Sequence, residues 1–332
     1  MDRRWRRPAK ELAPRLIGGV CLAVFAASSV LAALGDAPIR GMLWISKSAD
    51  PMRALGTIPT ECLQLPADPE ETAKIEIGRA AFRTPVLLGG QAGRAGVNCE
   101  TCHRNGRTNP DFLFPGISGA PGTADVTNSL FSTHRGNGID DPKPIPDLSG
   151  PKSSLKVSQA KSGQKLELFI HGLITEEFDG PEPTPAVLEG LASYVRALSP
   201  DACPTKAREA LTVGLLMSDA RRALGAAQGR AAAGDNATAT IMIASARSRL
   251  GLIDERFADP TLAKARDDLR ASDRRLADIQ RALHDDAPDA RSKLSNWLRD
   301  SGQLEAVLVA KQNASLFNPT KLVIATKRRL PG

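Results

Sequence analysis

One short motif constrains this chain more than any other feature: Cys99-Glu100-Thr101-Cys102-His103. Its spacing allows two thiols to add across the two vinyl groups on one edge of a haem, while the histidine that follows turns back towards the iron. Imidazole is a common protein ligand of haem iron. The motif therefore predicts one covalently bound haem c, attached through Cys99 and Cys102 and ligated by His103, and a fold that encloses a large flat cofactor.

Three other interpretations of the motif are a chance match, half of a zinc site and a thioredoxin-like redox pair. A zinc ribbon requires a second cysteine pair, but the other cysteines are isolated and the other histidines lie far away in the sequence. A thioredoxin-like pair requires a strand-helix context, whereas a glycine-rich stretch, LLGGQAGRAGVN, precedes this motif. Haem attachment is therefore the interpretation that the residues favour.

The first 34 residues have the order of an export signal. Residues 1–15 carry six basic and two acidic side chains, and residues 16–34 form an uncharged apolar run with small residues near its end. The run is also long enough to span a bilayer, so an uncleaved N-terminal anchor is the alternative. In both cases we expect the remainder to face the periplasm, either released or anchored to the inner membrane.

The leader also changes the meaning of the formal charge of +7, because residues 1–15 contribute +4 and leave +3 for the rest of the chain. A weakly basic body has no strong footprint for nucleic acid. It is compatible with steering towards an acidic redox partner.

Two further cysteines, Cys62 and Cys203, stand far apart in the sequence, whereas Cys21 lies inside the leader. Cys62 precedes the first predicted helix of the haem-binding region and Cys203 follows the last one. If those helices pack together in an oxidising compartment, a disulfide between the two residues is geometrically plausible.

The remaining pattern predicts an all-α protein in two parts. With 4% aromatic residues, we expect cores of Ala, Leu and Val. The first part combines short helices with long Gly- and Pro-rich loops between residues 105 and 163, and loops of that length normally wrap something. The second part repeats apolar residues at helical spacing, which predicts an antiparallel bundle of four helices. The expected divisions are an irregular extension (35–69), a haem domain (70–204), a helical bundle (205–312) and a loose basic tail (313–332).

The second axial ligand of the iron is not evident from the motif. No methionine occurs between Cys102 and Cys203, so the candidates are His134, in a loop, and His171, on a predicted helix; an open site is the third possibility. Histidine on both sides would give a lower reduction potential than methionine and histidine. Arg135 and Lys152 are candidates for neutralising the haem propionates.

At these residues the chain resembles the cytochrome c family. More narrowly, the segment from Gly78 to Thr127 (GRAAFRTPVLLGGQAGRAGVNCETCHRNGRTNPDF … GTADVT) is similar to the haem segment of the bacterial di-haem cytochrome c peroxidase superfamily. The resemblance implies a cytochrome c-like haem domain. Members of that superfamily carry two CxxCH motifs, one haem relaying electrons and the other reacting with peroxide, whereas this chain has one.

The resulting hypothesis is an exported mono-haem electron carrier with redox partner proteins in the periplasm and no catalytic residue of its own. The bundle would serve assembly or docking. The alternative is a peroxidase-type haem enzyme with an open distal site, working with a partner haem protein. A third possibility is that the bundle acts as a scaffold to which the haem is incidental.

Overall fold

The protein is mostly helical in its computed structural model, which describes residues 39–327. Four short strands accompany the helices: β1 (Thr57–Pro59), β2 (Thr123–Ala124), β3 (Lys143–Pro144) and β4 (Arg208–Ala210). The helices are α1 (Pro69–Phe82), α2 (Pro85–Leu88), α3 (Gly90–Ala95), α4 (Cys99–Cys102), α5 (Lys165–Gly172), α6 (Pro185–Ala197), α7 (Val213–Ala232), α8 (Asn236–Asp254), α9 (Ala263–His284), α10 (Ala290–Lys311) and α11 (Pro319–Lys327). The predicted leader lies outside the described residues.

Helices α1 and α6 pack against each other at a pair of glycines. A Cβ atom on Gly78 of α1 would lie 1.8 Å from the carbonyl oxygen of Gly190 in α6, so only glycine permits this approach of the two backbones. Local signals begin both helices: Asp68 accepts a hydrogen bond from the Glu70 amide, and Thr184 accepts one from the Val187 amide. This crossing closes the first half of the structure.

The predicted disulfide between Cys62 and Cys203 is confirmed, with the two sulfur atoms 2.03 Å apart. The segments around it are also paired. Strand β1 runs antiparallel to β4, with Thr57 opposite Ala210, and Leu63 forms an isolated bridge with Leu198. The disulfide and the strand pair therefore join the two ends of the predicted haem domain.

The long segment between α4 and α5 is largely irregular, as predicted, and its regular structure is limited to three single 3-10 turns and the short antiparallel pair β2 and β3. Aromatic rings anchor it: Trp44 stacks on Phe114 with ring centroids 4.4 Å apart, and Phe114 meets the edge of Phe131 at 5.0 Å. Phe131 continues to Phe178 at 5.6 Å. Aromatic residues that are sparse in the whole chain are thus concentrated where regular structure is missing.

Helices α7 to α10 form the predicted bundle. Four leucines spaced by seven residues are all buried: Leu262 in the turn before α9, and Leu269, Leu276 and Leu283 within α9. Val307 of α10 is 41% exposed, whereas its neighbour Leu308 is buried. Two charged residues of this part of the chain, Arg249 and Arg256, are buried, with 3% and 4% of their surface exposed.

Within the expected loose tail (313–332), the residues that the structure describes, 313–327, are not loose. Residues 319–327 form helix α11, and Leu322 is buried against Ile39 and Leu55 near the start of the described chain. The spacing of Leu322 and Thr326, one helical turn apart and both buried, gives this short helix an inner face.

The apolar core crosses the expected boundary near residue 205. A single cluster of buried side chains extends from Ile75 in α1 to Leu308 in α10, and α1 packs against α7 and α8 as well as α6. Residues 39–327 thus belong to one compact unit. Within this range, no helix combines the length and apolar character that crossing a membrane requires.

Candidate haem-attachment site

The motif forms a single helical turn, α4, that begins at Asn98. The Asn98 side chain accepts a hydrogen bond from the Thr101 amide, and the Thr101 hydroxyl accepts one from the Asn98 amide, both at 3.0 Å. This is a reciprocal capping box. Asn109 adds a hydrogen bond of 2.9 Å to the Thr101 carbonyl. Side chains that flank the two cysteines therefore fix the turn that carries them.

His103, which ends this turn, is oriented by the loop between α4 and α5. Its Nδ1 lies 3.0 Å from the carbonyl oxygen of Pro146, so that nitrogen donates the hydrogen bond and Nε2 is left for a ligand. Burial lowers the pKa of His103 to about 4, which keeps the ring neutral at physiological pH. The Phe82 ring lies alongside, with its centroid 6.4 Å from that of the imidazole. A neutral ring with one nitrogen held by a backbone carbonyl is how proteins commonly present histidine to a metal.

Cys99 and Cys102 are free thiols, partly buried against the main apolar core. Burial raises the pKa of each thiol to about 12. Redox-active thiol pairs have the opposite environment, in which neighbouring positive charge lowers the thiol pKa. Two protonated thiols and a fixed imidazole on one turn are a donor set that fits covalent haem attachment.

Glu100, between the two cysteines, is the centre of a buried ion network. Its carboxylate accepts hydrogen bonds from Arg83 Nε at 3.0 Å and from Arg249 Nη1 at 2.7 Å. Burial alone would raise the pKa of Glu100, but the two guanidinium groups outweigh burial and hold it at about 2. Because Arg249 belongs to α8, this network ties the motif directly to the bundle.

A second network links the predicted iron ligand to the disulfide. Arg107 donates to Asp147 at 2.8 Å, and Asp147 follows Pro146, whose carbonyl holds His103. The same guanidinium contacts both disulfide sulfurs, at 3.0 Å from Cys62 and 3.7 Å from Cys203. The disulfide and the carbonyl that orients His103 are therefore joined through one arginine–aspartate pair.

The structure places the two candidate distal histidines against carboxylates. His134 has its Nδ1 3.0 Å from Asp179, and its side chain is 63% exposed. His171, on α5, has its Nε2 2.9 Å from Glu182. In His134 the Nδ1 atom is thus engaged by a carboxylate and Nε2 is left for a ligand, whereas in His171 the Nε2 atom itself is engaged.

The two candidate propionate contacts have protein partners. Arg135 pairs with Glu176, donating through Nε at 2.8 Å, and lies 3.8 Å from Glu177. The Lys152 ammonium donates to the carbonyls of Val195 and Leu198 at 3.0 and 2.6 Å, where it caps the end of α6. The assignment of either side chain to a propionate stays a prediction.

Sequence reasoning missed the supporting residues, and one of them had a detectable signal. Arg249 follows Ala246 by three residues and precedes Ile253 by four, so it falls on the apolar face of α8 and should be buried there. Pro146 and Asp147 carry no such signal, because a loop brings them to His103 from 43 residues away.

Comparison of the chain with protein-family models, with curated proteins and with solved structures finds no match. Among residues 39–327 there is also no group of three or more His, Cys, Asp or Glu side chains arranged to hold a metal ion.

Proposed function

We propose that the protein is an exported c-type cytochrome that carries electrons through one covalently bound haem. The observation that supports this most strongly is the geometry of α4: Cys99, Cys102 and His103 share one turn, and the Pro146 carbonyl holds the imidazole with Nε2 left for iron. The resemblance of residues 78–127 to known haem segments points the same way.

In this proposal the chain's own residues attach, orient and enclose the cofactor. Cys99 and Cys102 form the thioether bonds, His103 supplies the proximal nitrogen, and the loops between α4 and α5 exclude water. The haem supplies reversible one-electron chemistry. No side chain has to transfer a proton or form a further covalent bond.

We assign the sixth ligand to His134, because Asp179 already orients its ring through Nδ1. His171 is the second candidate and would first have to release Glu182. Replacing each histidine in turn by alanine separates them: loss of the low-spin optical spectrum in His134→Ala but not in His171→Ala supports the assignment. An unchanged spectrum in His134→Ala would show that His134 is not the sixth ligand.

The alternative is a peroxidase-type enzyme with an open distal position. The observations that favour it are that Glu182 engages Nε2 of His171 and that the side chain of His134 is 63% exposed. Carbon monoxide added to the reduced protein separates the two functions. A six-coordinate carrier responds little, whereas an open site binds the ligand and shifts the optical spectrum.

The bundle supports the haem segment in this proposal as well as offering a surface to periplasmic partner proteins or to a second copy of the chain. Arg249 of α8 holds Glu100, and α7 and α8 pack on α1. Removal of the residues after Lys206 should therefore impair haem retention. A truncated chain that keeps a wild-type haem spectrum would show that the bundle acts only as a scaffold or docking module.

The experiment that tests the function is export of the full chain in a bacterium that attaches haem c, followed by spectroscopy of variants. Cys99→Ala and Cys102→Ala should each lose one thioether and shift the haemochrome absorption band. The paired variant Cys62→Ala with Cys203→Ala is the matched control, since it also removes two cysteines but should keep the wild-type band. Haem-free wild-type protein from that host would contradict the proposal.

A further inference from the structure

A cavity of about 580 Å³ lies behind the haem motif. Asn98, Glu100, Thr101 and Arg104 line it, whereas Cys99, Cys102 and His103 do not. The turn α4 thus presents the haem ligands on one side and this cavity on the other. Its volume falls within the range of about 300–1,000 Å³ that is typical of small-molecule sites.

Two arginines in the wall, Arg104 and Arg256, donate to main-chain carbonyls and not to a carboxylate. Arg104 donates to the carbonyls of Ala54 and Thr57, and Arg256 donates to Leu55 at 2.8 Å and to Leu316 at 3.3 Å. The adjacent carbonyls of residues 54 and 55 therefore hold the two guanidinium groups. Within residues 39–327, neither arginine has a carboxylate oxygen within 4.0 Å.

Electrostatics agree with this geometry. Burial lowers the pKa of Arg104, and it lowers that of Arg256 to about 10. The carboxylate of Glu255 opposes this lowering of the Arg256 pKa, whereas the positive charge of Arg104 adds to it. A buried guanidinium normally has an anionic partner, since an isolated buried charge is costly.

Several hydrogen-bond donors in the same wall have no partner within residues 39–327. They are Nε of Arg249 and of Arg256, the Thr60 hydroxyl and the Trp44 indole N–H. Arg249, Arg256 and Thr60 are each more than nine-tenths buried. A buried donor without a partner destabilises the fold, so a ligand that accepts hydrogen bonds would stabilise this wall.

The acidic residues of the wall do not supply that partner. Glu61 and Glu100 are paired with other arginines, Asp219 is paired with Arg222, and Glu255 accepts the Arg40 amide at 3.0 Å. Glu209 makes no ion pair among the described residues, and its charge opposes an anion as that of Glu255 does. Seven basic side chains against five acidic ones leave the lining net positive.

We propose that this cavity binds a small oxyanion, the chemical class shared by inorganic phosphate, sulfate and short carboxylic acids. The ligand would lie between Arg104 and Arg256 and accept from Thr60. Arg40 and Lys206 line the cavity and are exposed, so they mark its entrance from solvent. The site is separate from the haem ligands and does not depend on the proposed function.

The test is the thermal stability of the full chain in rising concentrations of inorganic phosphate, with chloride keeping the ionic strength constant. A specific ligand raises the unfolding temperature in a saturable way, and chloride alone does not. Parallel titrations with sulfate and malonate identify which oxyanions the site accepts. Calorimetry then gives the dissociation constant.

Variants distinguish a specific binding site from general electrostatic attraction of the anion to the protein. Arg256→Gln should weaken phosphate binding by about tenfold or more, since it removes a charged donor. Thr60→Val is the milder variant and should keep the fold, because the lost hydroxyl has no partner within the described residues. It should still weaken binding several-fold. Arg247→Gln is the matched control on α8, since Arg247 pairs with Asp273 and does not line the cavity.

The proposal is overturned if none of the three anions stabilises the chain more than chloride, which would mean that the cavity holds water only. It is equally overturned if Thr60→Val binds phosphate as tightly as the wild type and Arg247→Gln weakens binding as much as Arg256→Gln. If Arg256→Gln fails to fold, Thr60→Val against the wild type decides.

Discussion

The disulfide should account for a large share of the stability of this protein. Cys62 and Cys203 are separated by 141 residues. In the loop-entropy relation, a loop of that length reduces the entropy of the unfolded chain by about 17 cal/mol/K, which is about 5 kcal/mol at 25 °C. Whole domains have free energies of unfolding of about 5–15 kcal/mol. Loss of the bond should therefore bring the chain close to its stability limit.

The assay is urea unfolding of the wild type and of Cys62→Ala with Cys203→Ala, followed by far-ultraviolet circular dichroism, each with and without a thiol reductant. We expect the double variant to lose about 5 kcal/mol. We also expect a steeper dependence on urea, because an unfolded chain without the cross-link exposes more surface. The reductant should bring the wild type to the level of the variant and leave the variant unchanged.

Two results would refute this reasoning. A double variant within about 1 kcal/mol of the wild type would mean that β1–β4 pairing and α1–α6 packing hold the ends together without the bond. A wild type that resists the reductant while the variant is destabilised would assign the loss to the removed sulfur atoms, which contact Arg107.

Three further predictions concern packing and buried charge. Gly78→Ala should destabilise the fold by about 1–3 kcal/mol or more, because the added methyl group collides with α6. The control is Gly225→Ala on α7, where a Cβ atom meets nothing within 4 Å; it should stabilise the fold by up to about 1 kcal/mol. Equal urea midpoints for the two variants would contradict the α1–α6 crossing. Leu322→Ala should cost about 2–5 kcal/mol, and Ile324→Ala, exposed on the same helix, should cost little; a loss in neither would show that α11 does not dock. Glu100→Gln should cost about 3–5 kcal/mol because it leaves the buried guanidinium group of Arg249 without a carboxylate and removes one of the carboxylates that pair with Arg83. Folding lowers the pKa of Glu100 from 4.5 to about 2, so the stability that the ionised carboxylate contributes is complete above pH 4.5 and is lost as the pH falls towards 2. The urea midpoints of the wild type and of Glu100→Gln should therefore converge as the pH is lowered over this range. A constant difference between the two midpoints would contradict the ion network.

Much of the fold could be predicted from the sequence because helices follow local rules. Apolar residues at helical spacing predicted the bundle that helices α7 to α10 form. The disulfide followed from the positions of two cysteines relative to the helices. The prediction of a loose tail failed because the structure of that segment depends on distant contacts. Helix α11 forms where Leu322 packs against Ile39 and Leu55, which lie at the other end of the described chain.

The candidate site also contains residues that the sequence could predict and residues that it could not. Cys99, Cys102 and His103 are contiguous and need no tertiary information, whereas the carbonyl of Pro146 reaches His103 only through the folded loop. The structural role of Glu100 could not be predicted from the motif, because its partner Arg249 is 149 residues away. Helical spacing can mark Arg249 as buried, but it does not name the partner that the fold brings to it, and it does not predict a cavity.

The most direct test of the central claim is the mass of the denatured, exported chain. Thioether attachment at Cys99 and Cys102 predicts a mass increased by one haem that survives unfolding and acid extraction, and a haem-bearing peptide that contains both cysteines after digestion. An intact chain whose mass equals that of the polypeptide alone would contradict the account.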